Sequence, residues 1–303
     1  MPEATAPAHV AQRLTEIVAQ QDYPVSALYV TATPIGNVGD ISLRALHLLG
    51  LADAIACEDT RNTAQLLARY GLSKHLIAVH EHNERERAAD IIGRLHAGER
   101  IALVSDAGTP AVSDPGARLV DAVVAAGLRV IPLPGASAAI TALSASGLVS
   151  NAFHFVGFLP TKAMQRDSVL QTLRTLPATL VLYEAPHRIE ATLAALAQTF
   201  EPERHIVIAR ELTKLFEEIH RCPVSEAASW LAAEPNRLRG EFVLLIEGAP
   251  ANANTSDAET ERVLTILLAE CPVSQAASLA AKITGEKKNR LYERALKLKN
   301  DGV

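Results

Sequence analysis

The chain is poor in residues that would mark several large classes of protein. Of 303 residues only three are cysteines, Cys57, Cys222 and Cys271, far apart and without a CxxC pair. That argues against a disulfide framework or a cysteine-rich zinc site, and for a reduced, cytoplasmic setting. Aromatic residues make up 4%, so core volume must come from Ala, Leu, Val and Ile. No apolar run approaches the roughly 18 residues of a membrane span, so no membrane is expected as a partner. The first 26 residues lack a basic start and a long apolar run and do not read as a secretory signal. There is no GxGxxG and no GxxxxGK[ST], so neither dinucleotide nor P-loop chemistry is indicated. A net charge of −5 is not the footprint of a nucleic-acid coat protein.

What is present is a 49% hydrophobic content and a length that suggests about two domains. The organising stretch is RIALVSDAGTPAVSDPG, from Arg100 to Gly116. Its apolar opening, Ile101 to Val104, has the length and β-branching of a buried strand. Two turn signals follow in quick succession, Ser105 to Pro110 and Ser113 to Gly116, before a helical pattern begins at Ala117. Strand-to-helix links usually take about two to six residues. So long a loop at the carboxyl end of a strand is where open α/β sheets hold ligands.

Other strand ends carry similar turns. Ala27 to Thr33 runs into Pro34-Ile35-Gly36-Asn37, which brings bare backbone close to anything above the sheet. Asp40 is expected to cap a helix that Gly50 ends. Ala52 to Cys57 is followed by Glu58-Asp59-Thr60-Arg61, and Leu76 to His80 by Glu81-His82-Asn83-Glu84. The latter has no zinc-helix spacing and no third ligand, so no metal is expected; capping by Asn83 or Glu84, or substrate contact, is favoured. Arg129 to Leu133 ends in Pro134-Gly135-Ala136-Ser137-Ala138, whose helix start offers free N–H groups. Short strand–helix alternation predicts a mostly parallel, doubly wound sheet.

A second set begins at Phe153 to Phe158, with Thr179 to Tyr183, His205 to Ala209 and Gly240 to Glu247 as further strands and Phe216 to His220 pairing with the third. Gly248 to Asp257 is small, polar and turn-rich, a linker pattern. The remainder reads as helical, with Ser274 as a cap and Thr284-Gly285 as a turn. Between Lys282 and Lys299 seven basic residues stand against two acidic ones, and two short helices around a glycine turn resemble a helix-turn-helix nucleic-acid module. CPVSxAAS occurs at Cys222 and again at Cys271, read as two similar helix starts.

LYVTATPIGNVGDISLRAL, ACEDTRNTAQLL, HEHNERE, IALVSDAGTPAVSDPG, PLPGASAAITALSASGL, YEAPHRI, ARELTK and GEFVLLIEG, in this order, resemble the ribosomal-RNA-methylating branch of the tetrapyrrole methylase family. The resemblance implies a two-domain α/β fold with a mostly parallel first sheet, a mixed second sheet and a small C-terminal helical module. The expected divisions are a flexible tail at 1–26, α/β domains at 27–148 and 149–249, a linker at 250–258 and a helix-turn-helix-like module at 259–303. It implies S-adenosylmethionine as cofactor and 2′-O-methylation of a cytidine ribose in the decoding region of small-subunit rRNA, in an assembled 30S particle, by a homodimer. Carried over onto this sequence, the donor site would be Pro34, Gly36, Asp106, Ala107, Gly108, Thr109, Ser137, Ala138, Tyr183, Leu212 and Gly240. Ser105-Asp106-Ala107 stands where the wider family has Gly-Asp-Pro.

A ribose hydroxyl is a weak acid, so a nearby base would help remove its proton. Glu58, Asp59, Glu184 and Glu211, with His80, are the candidates, and Arg61 shares their turn. Arg61, Arg188, Arg210, Lys214, Lys287, Lys288 and Arg290 suit RNA phosphates. Two rivals remain: a precorrin-type tetrapyrrole C-methyltransferase with the same donor site, and a non-catalytic nucleic-acid-binding regulator using the tail.

Overall fold

Short apolar runs punctuated by Gly, Pro and Asp fold as the alternation predicts. The computed structural model describes residues 8–80, 83–250 and 253–300. After helix α1 (Ala8–Ala19), the first half contains β1 (Ala27–Thr31), α2 (Leu43–Leu51), β2 (Ala54–Cys57), α3 (Thr60–Arg69), β3 (Leu76–Ala78), α4 (Glu84–His96), β4 (Arg100–Val104), α5 (Ala117–Ala125), β5 (Arg129–Leu133) and α6 (Ala138–Ala145). The five strands form a parallel sheet in the order β3-β2-β4-β1-β5. It is buried on both faces, by Tyr29, Ile55 and Leu48 on one and by Leu28, Ala56 and Leu103 on the other. That explains why its strands read as continuous apolar runs.

The second half contains β6 (Phe153–Phe158), α7 (Ala163–Leu173), β7 (Thr179–Glu184), α8 (Ile189–Thr199), β8 (His205–Arg210), β9 (Glu218–Pro223), α9 (Val224–Ala232) and β10 (Phe242–Ile246). Its sheet, β6-β7-β10-β8-β9, is mixed: β6 and β7 are parallel, and the remaining pairs antiparallel. Alternation along the strands divides it into two faces. Ile206, Ile208, Leu244 and Ile246 face α8 and α9 residues, whereas Val207, Ala209, Val243 and Leu245 pack on Ile35, Ala139 and Ala142 of the first half. The β1 turn and α6 are therefore seated on the second sheet, and the strand tips of both halves meet.

Residues 249–303 form a separate compact unit. In it α10 (Ala253–Glu270), α11 (Val273–Thr284) and α12 (Lys288–Asn300) pack around Leu264, Ala277, Ala280, Leu291 and Ala295. Gly285, at φ 75°, ends α11 in the left-handed conformation that glycine adopts without strain. The expected α/β architecture, parallel sheet, mixed sheet and helical module, is the one found.

Several local expectations need correction. Ser42, not Asp40, caps α2 by accepting from the Ala45 amide, and Gly50 lies inside that helix. Ser274 is not a cap, because α11 starts at Val273 after Pro272, just as α9 starts at Val224 after Pro223. Asn83 sits at the N-cap of α4 without capping it; its side chain accepts from the His80 amide. Glu84 instead caps α5, accepting from the Gly116 and Leu119 amides at 2.9 and 3.0 Å. Within the stretch expected to be a flexible tail, Val18 and Tyr23 are buried, and Arg100 Nε donates to the Tyr23 carbonyl at 2.8 Å. Helix α10 begins inside the expected linker.

Candidate active site

The site is built where the tips of the two sheets face each other. After β1, Thr33 makes an antiparallel bridge to Gly108, with amide-to-carbonyl distances of 2.9 and 3.0 Å. Thr33 Oγ1 donates to the Ser105 carbonyl, and Thr109 Oγ1 to the Ala136 carbonyl. These bonds lock the loops after β1, β4 and β5 into one surface. From the opposite side, the Tyr183 hydroxyl at the end of β7 accepts from the Ala139 amide at 3.2 Å. One of the N–H groups expected to be free at the α6 start is therefore taken.

Between these surfaces lies a cavity of about 310 Å³. Ala107, Gly108, Thr109, Ser137, Ala138, Tyr183 and Leu212 line it, as does Glu184. Asp106, Gly36, Pro34 and Gly240 are beside it in sequence but not in its wall. Ile35, inside the expected Pro34–Gly36 turn, lines it too, and sequence reasoning missed Ser113, Asp114, Phe158, Glu241 and Phe242, all of which line it. Asp114 had a signal, since it stands in the second turn of the long loop; Phe158 and Phe242 were legible only as strand residues.

The carboxylates fall into two groups. Asp106 is exposed, and its oxygens accept from the Asp59 amide at 3.3 Å and from Asn62 Nδ2 at 2.7 Å. Near it, burial lifts the Glu58 carboxyl above its usual range, helped by the negative charges of Asp106, Asp114 and Asp59. Burial likewise raises Asp114, with Asp106 adding to the effect against the Ser105 hydroxyl. Asp59 goes the other way: it caps α3 and holds Arg61 at 2.7 Å, which brings its carboxyl down to about 2. So acidic a group is a poor proton acceptor.

Across the cavity the carboxylates are tied to cations or dipoles. The Glu184 side chain is 1% exposed, paired with Arg188 at 3.1 Å and bonded to the Ala185 amide and Thr192 Oγ1. Glu211 and Glu241 both hold Lys214 Nζ, at 2.8 and 2.9 Å, and Lys214 brings the Glu211 carboxyl below its usual range against the opposing effect of burial. Neither Glu184 nor Glu211 is thus placed as a free base. Arg188 and Lys214 are turned to these partners, and Arg210 is buried against Glu218 and the Arg239 carbonyl. None of the three presents a free cation to RNA. Arg61 is 85% exposed at its side chain, and Lys287, Lys288 and Arg290 are exposed on the helical unit. Glu81 and His82 lie outside the described residues, and His80 is exposed.

Two glycines explain how the tips approach. A Cβ at Gly36 would lie 2.5 Å from Lys214 Cγ, so the Lys214 stem crosses bare backbone of the β1 turn. Gly240 has φ +96°, and a Cβ there would collide with Glu211 Cγ.

The model of tetrapyrrole (corrin/porphyrin) methylases matches residues 27–228, and that of the RsmI C-terminal HTH domain matches residues 254–299. A protein of Pseudomonas aeruginosa named ribosomal RNA small subunit methyltransferase I is 51% identical over 271 residues, 89% of this chain and 96% of that protein. One of the same name from Escherichia coli O157:H7 is 48% identical over 269 residues, 89% and 94% of the two chains. The crystal structure of uroporphyrin-III C-methyltransferase from Thermus thermophilus complexed with S-adenyl homocysteine superposes with a TM-score of 0.51 at 18% identity, covering 72% of this chain and 96% of that one.

Proposed function

Since the chain belongs to the tetrapyrrole methylase family, we propose that it transfers a methyl group from S-adenosylmethionine to the 2′-oxygen of a cytidine ribose in the decoding region of small-subunit (16S) rRNA. The substrate is the assembled 30S particle, and the enzyme acts as a cytoplasmic homodimer. The observation that carries the reading is the single cavity formed by turns from separate strand tips of both sheets. The names borne by relatives at about half identity over nearly the whole chain support the RNA substrate.

The residues present fit such a donor. Its volume lies in the range of small-molecule sites, with Ile35, Leu212 and Val243 as apolar wall and Thr109 and Ser137 as polar groups. Asp114 and Glu241 add carboxylates to its wall. When bound, S-adenosylmethionine supplies an electrophilic methyl group. The chain's own part is to hold oxygen, carbon and sulfur in line. Pro34 and Gly36 shape the β1 turn; Asp106, Ala107, Gly108, Thr109, Ser137, Ala138, Tyr183, Leu212 and Gly240 complete the donor-binding set. Of the acids in the sequence-derived set, Glu58 keeps both exposure and a raised proton affinity. Arg61, Lys287, Lys288 and Arg290 contact RNA phosphates.

The decisive assay is transfer of radiolabelled methyl to 30S particles, with the modified nucleoside mapped, run beside stripped rRNA and precorrin-type macrocycles. Label on a 2′-O-methylcytidine of the 30S particle is expected; label on a macrocycle carbon would replace the reading with the C-methyltransferase one. Donor binding by calorimetry separates both from a non-catalytic regulator. Removing residues 249–303 is expected to weaken RNA engagement and flatten its salt dependence; equal slopes with and without them would remove the electrostatic role of that unit.

A further inference from the structure

The titratable side chains in the cavity wall are Asp114, Tyr183, Glu184 and Glu241. Three of them are committed. Glu184 is enclosed by Arg188, Thr192 and the Ala185 amide. Glu241 holds Lys214. Tyr183 accepts from the Ala139 amide, and burial pushes its phenol above the usual value, so it keeps its proton at neutral pH. Asp114 faces no cation among the described residues; its neighbours are the Ser105 hydroxyl and the Asp106 carboxylate.

Its backbone setting is also unlike that of the other three. Asp114 follows Ser113, held at φ 61°, and Ala111 stands at φ 65°. Left-handed non-glycine residues cost energy that the surrounding structure must offset, and they concentrate at functional sites. Here the loop is fixed at both ends. Gly108 is bridged to Thr33, and the Gly116 amide is held by buried Glu84. On the facing strand β6, Gly157 leaves room for Ser113, whose Oγ would lie 2.8 Å from a Cβ there. The loop thus presents one uncommitted carboxylate to the cavity from a rigid mount.

We propose that Asp114 is the catalytic base, the group that accepts the proton of the substrate hydroxyl during methyl transfer; this rests on the methyltransferase reading above. The hydroxyl oxygen forms the new C–O bond as the methyl–sulfur bond breaks. The bonding pair remains on sulfur, which leaves as a neutral thioether, and the hydroxyl proton moves to the Asp114 carboxylate. Asp106 is the neighbouring negative charge that keeps Asp114 receptive to a proton, and Glu58 stands close enough to feel the charge of Asp114 in turn. Together with Tyr183 on β7 and the Ser105 hydroxyl, they are the groups that face it.

The test is Asp114→Asn, which keeps shape and removes the base. Single-turnover transfer to 30S particles is expected to fall by about 100-fold, the scale of a general-base contribution, while the calorimetric Kd for S-adenosylmethionine changes by less than threefold. The rising acid limb of the wild-type pH–rate profile should vanish in Asp114→Asn. In Asp106→Asn it should persist with its midpoint moved to lower pH, because the neighbouring charge that raises Asp114 is gone. A purely structural role would leave the limb in place. Loss of donor affinity in proportion to rate, or an unchanged rate in Asp114→Asn, overturns the assignment. If Asp114→Asn does not fold, the Asp106→Asn profile decides alone, and an unmoved midpoint overturns it. A wild-type chain that binds donor and methylates no ribose overturns the functional reading instead.

Discussion

The two walls of the cavity treat their carboxylates in opposite ways. On the first-sheet side, Glu58 and Asp114 are pushed toward protonation by burial and by the nearby charge of Asp106. On the second-sheet side, the wall residues Glu184 and Glu241 and the nearby Glu211 are held by Arg188 and Lys214. The same residue type serves as chemistry on one side and as carpentry on the other. What differs is whether a cation or a second carboxylate stands beside it.

That contrast is broken most forcefully at Glu184. Glu184→Ala would leave Arg188 and the Thr192 hydroxyl without their partner in a buried setting, and is expected to cost about 3–5 kcal/mol of stability by urea unfolding. A loss under 1 kcal/mol would mean that the second wall does not depend on its ion pair. Next comes Gly240→Ala, at φ +96° and against Glu211. Strain plus displacement of the Glu211–Lys214 pair is expected to cost about 2–3 kcal/mol, read in the same way.

Lys214→Met should cost less, about 1 kcal/mol after allowance for partial exposure, and its pH dependence carries the comparison. Glu211 has its folded carboxyl lowered by Lys214, so the stability it contributes is present above the unfolded carboxyl range and lost as pH falls through the folded value. The gap between wild type and Lys214→Met should therefore close on acidification. Glu58→Gln should show the smallest effect and the opposite sign. The folded Glu58 carboxyl is raised, so the folded state favours its proton and loses stability as pH rises from the unfolded carboxyl range through the raised value. Glu58→Gln is expected to melt slightly above wild type at neutral pH and level with it near pH 3. A variant less stable than wild type at neutral pH would mean that Glu58 is held like the acids of the other wall.

Legibility in the sequence followed the range of the interaction. Arg129–Leu133 and Phe153–Phe158 are strands with the bounds that their apolar runs and flanking turns predict. The Ser105–Gly116 loop is as long as its two turn signals predict, and it lines the cavity. The roles of Arg188, Arg210 and Lys214 were not legible, because a guanidinium or ammonium suits a phosphate and a carboxylate equally well. Glu84 caps a helix some thirty residues away, and no local pattern marks that. Asp114 is visible as a turn residue and invisible as a cavity wall, since that wall forms only where its loop meets the second half of the chain, with Ser113 close against Gly157.

By itself, then, the sequence determined the alternation of strands and helices and the turns at their carboxyl ends, since those follow from side-chain periodicity and from the backbone freedom of Gly, Pro and Asp. Only the tertiary structure decided which carboxylates would be neutralised and which left with their charge. That depends on neighbours brought together from distant segments, and an electrostatic partner is a matter of distance in space.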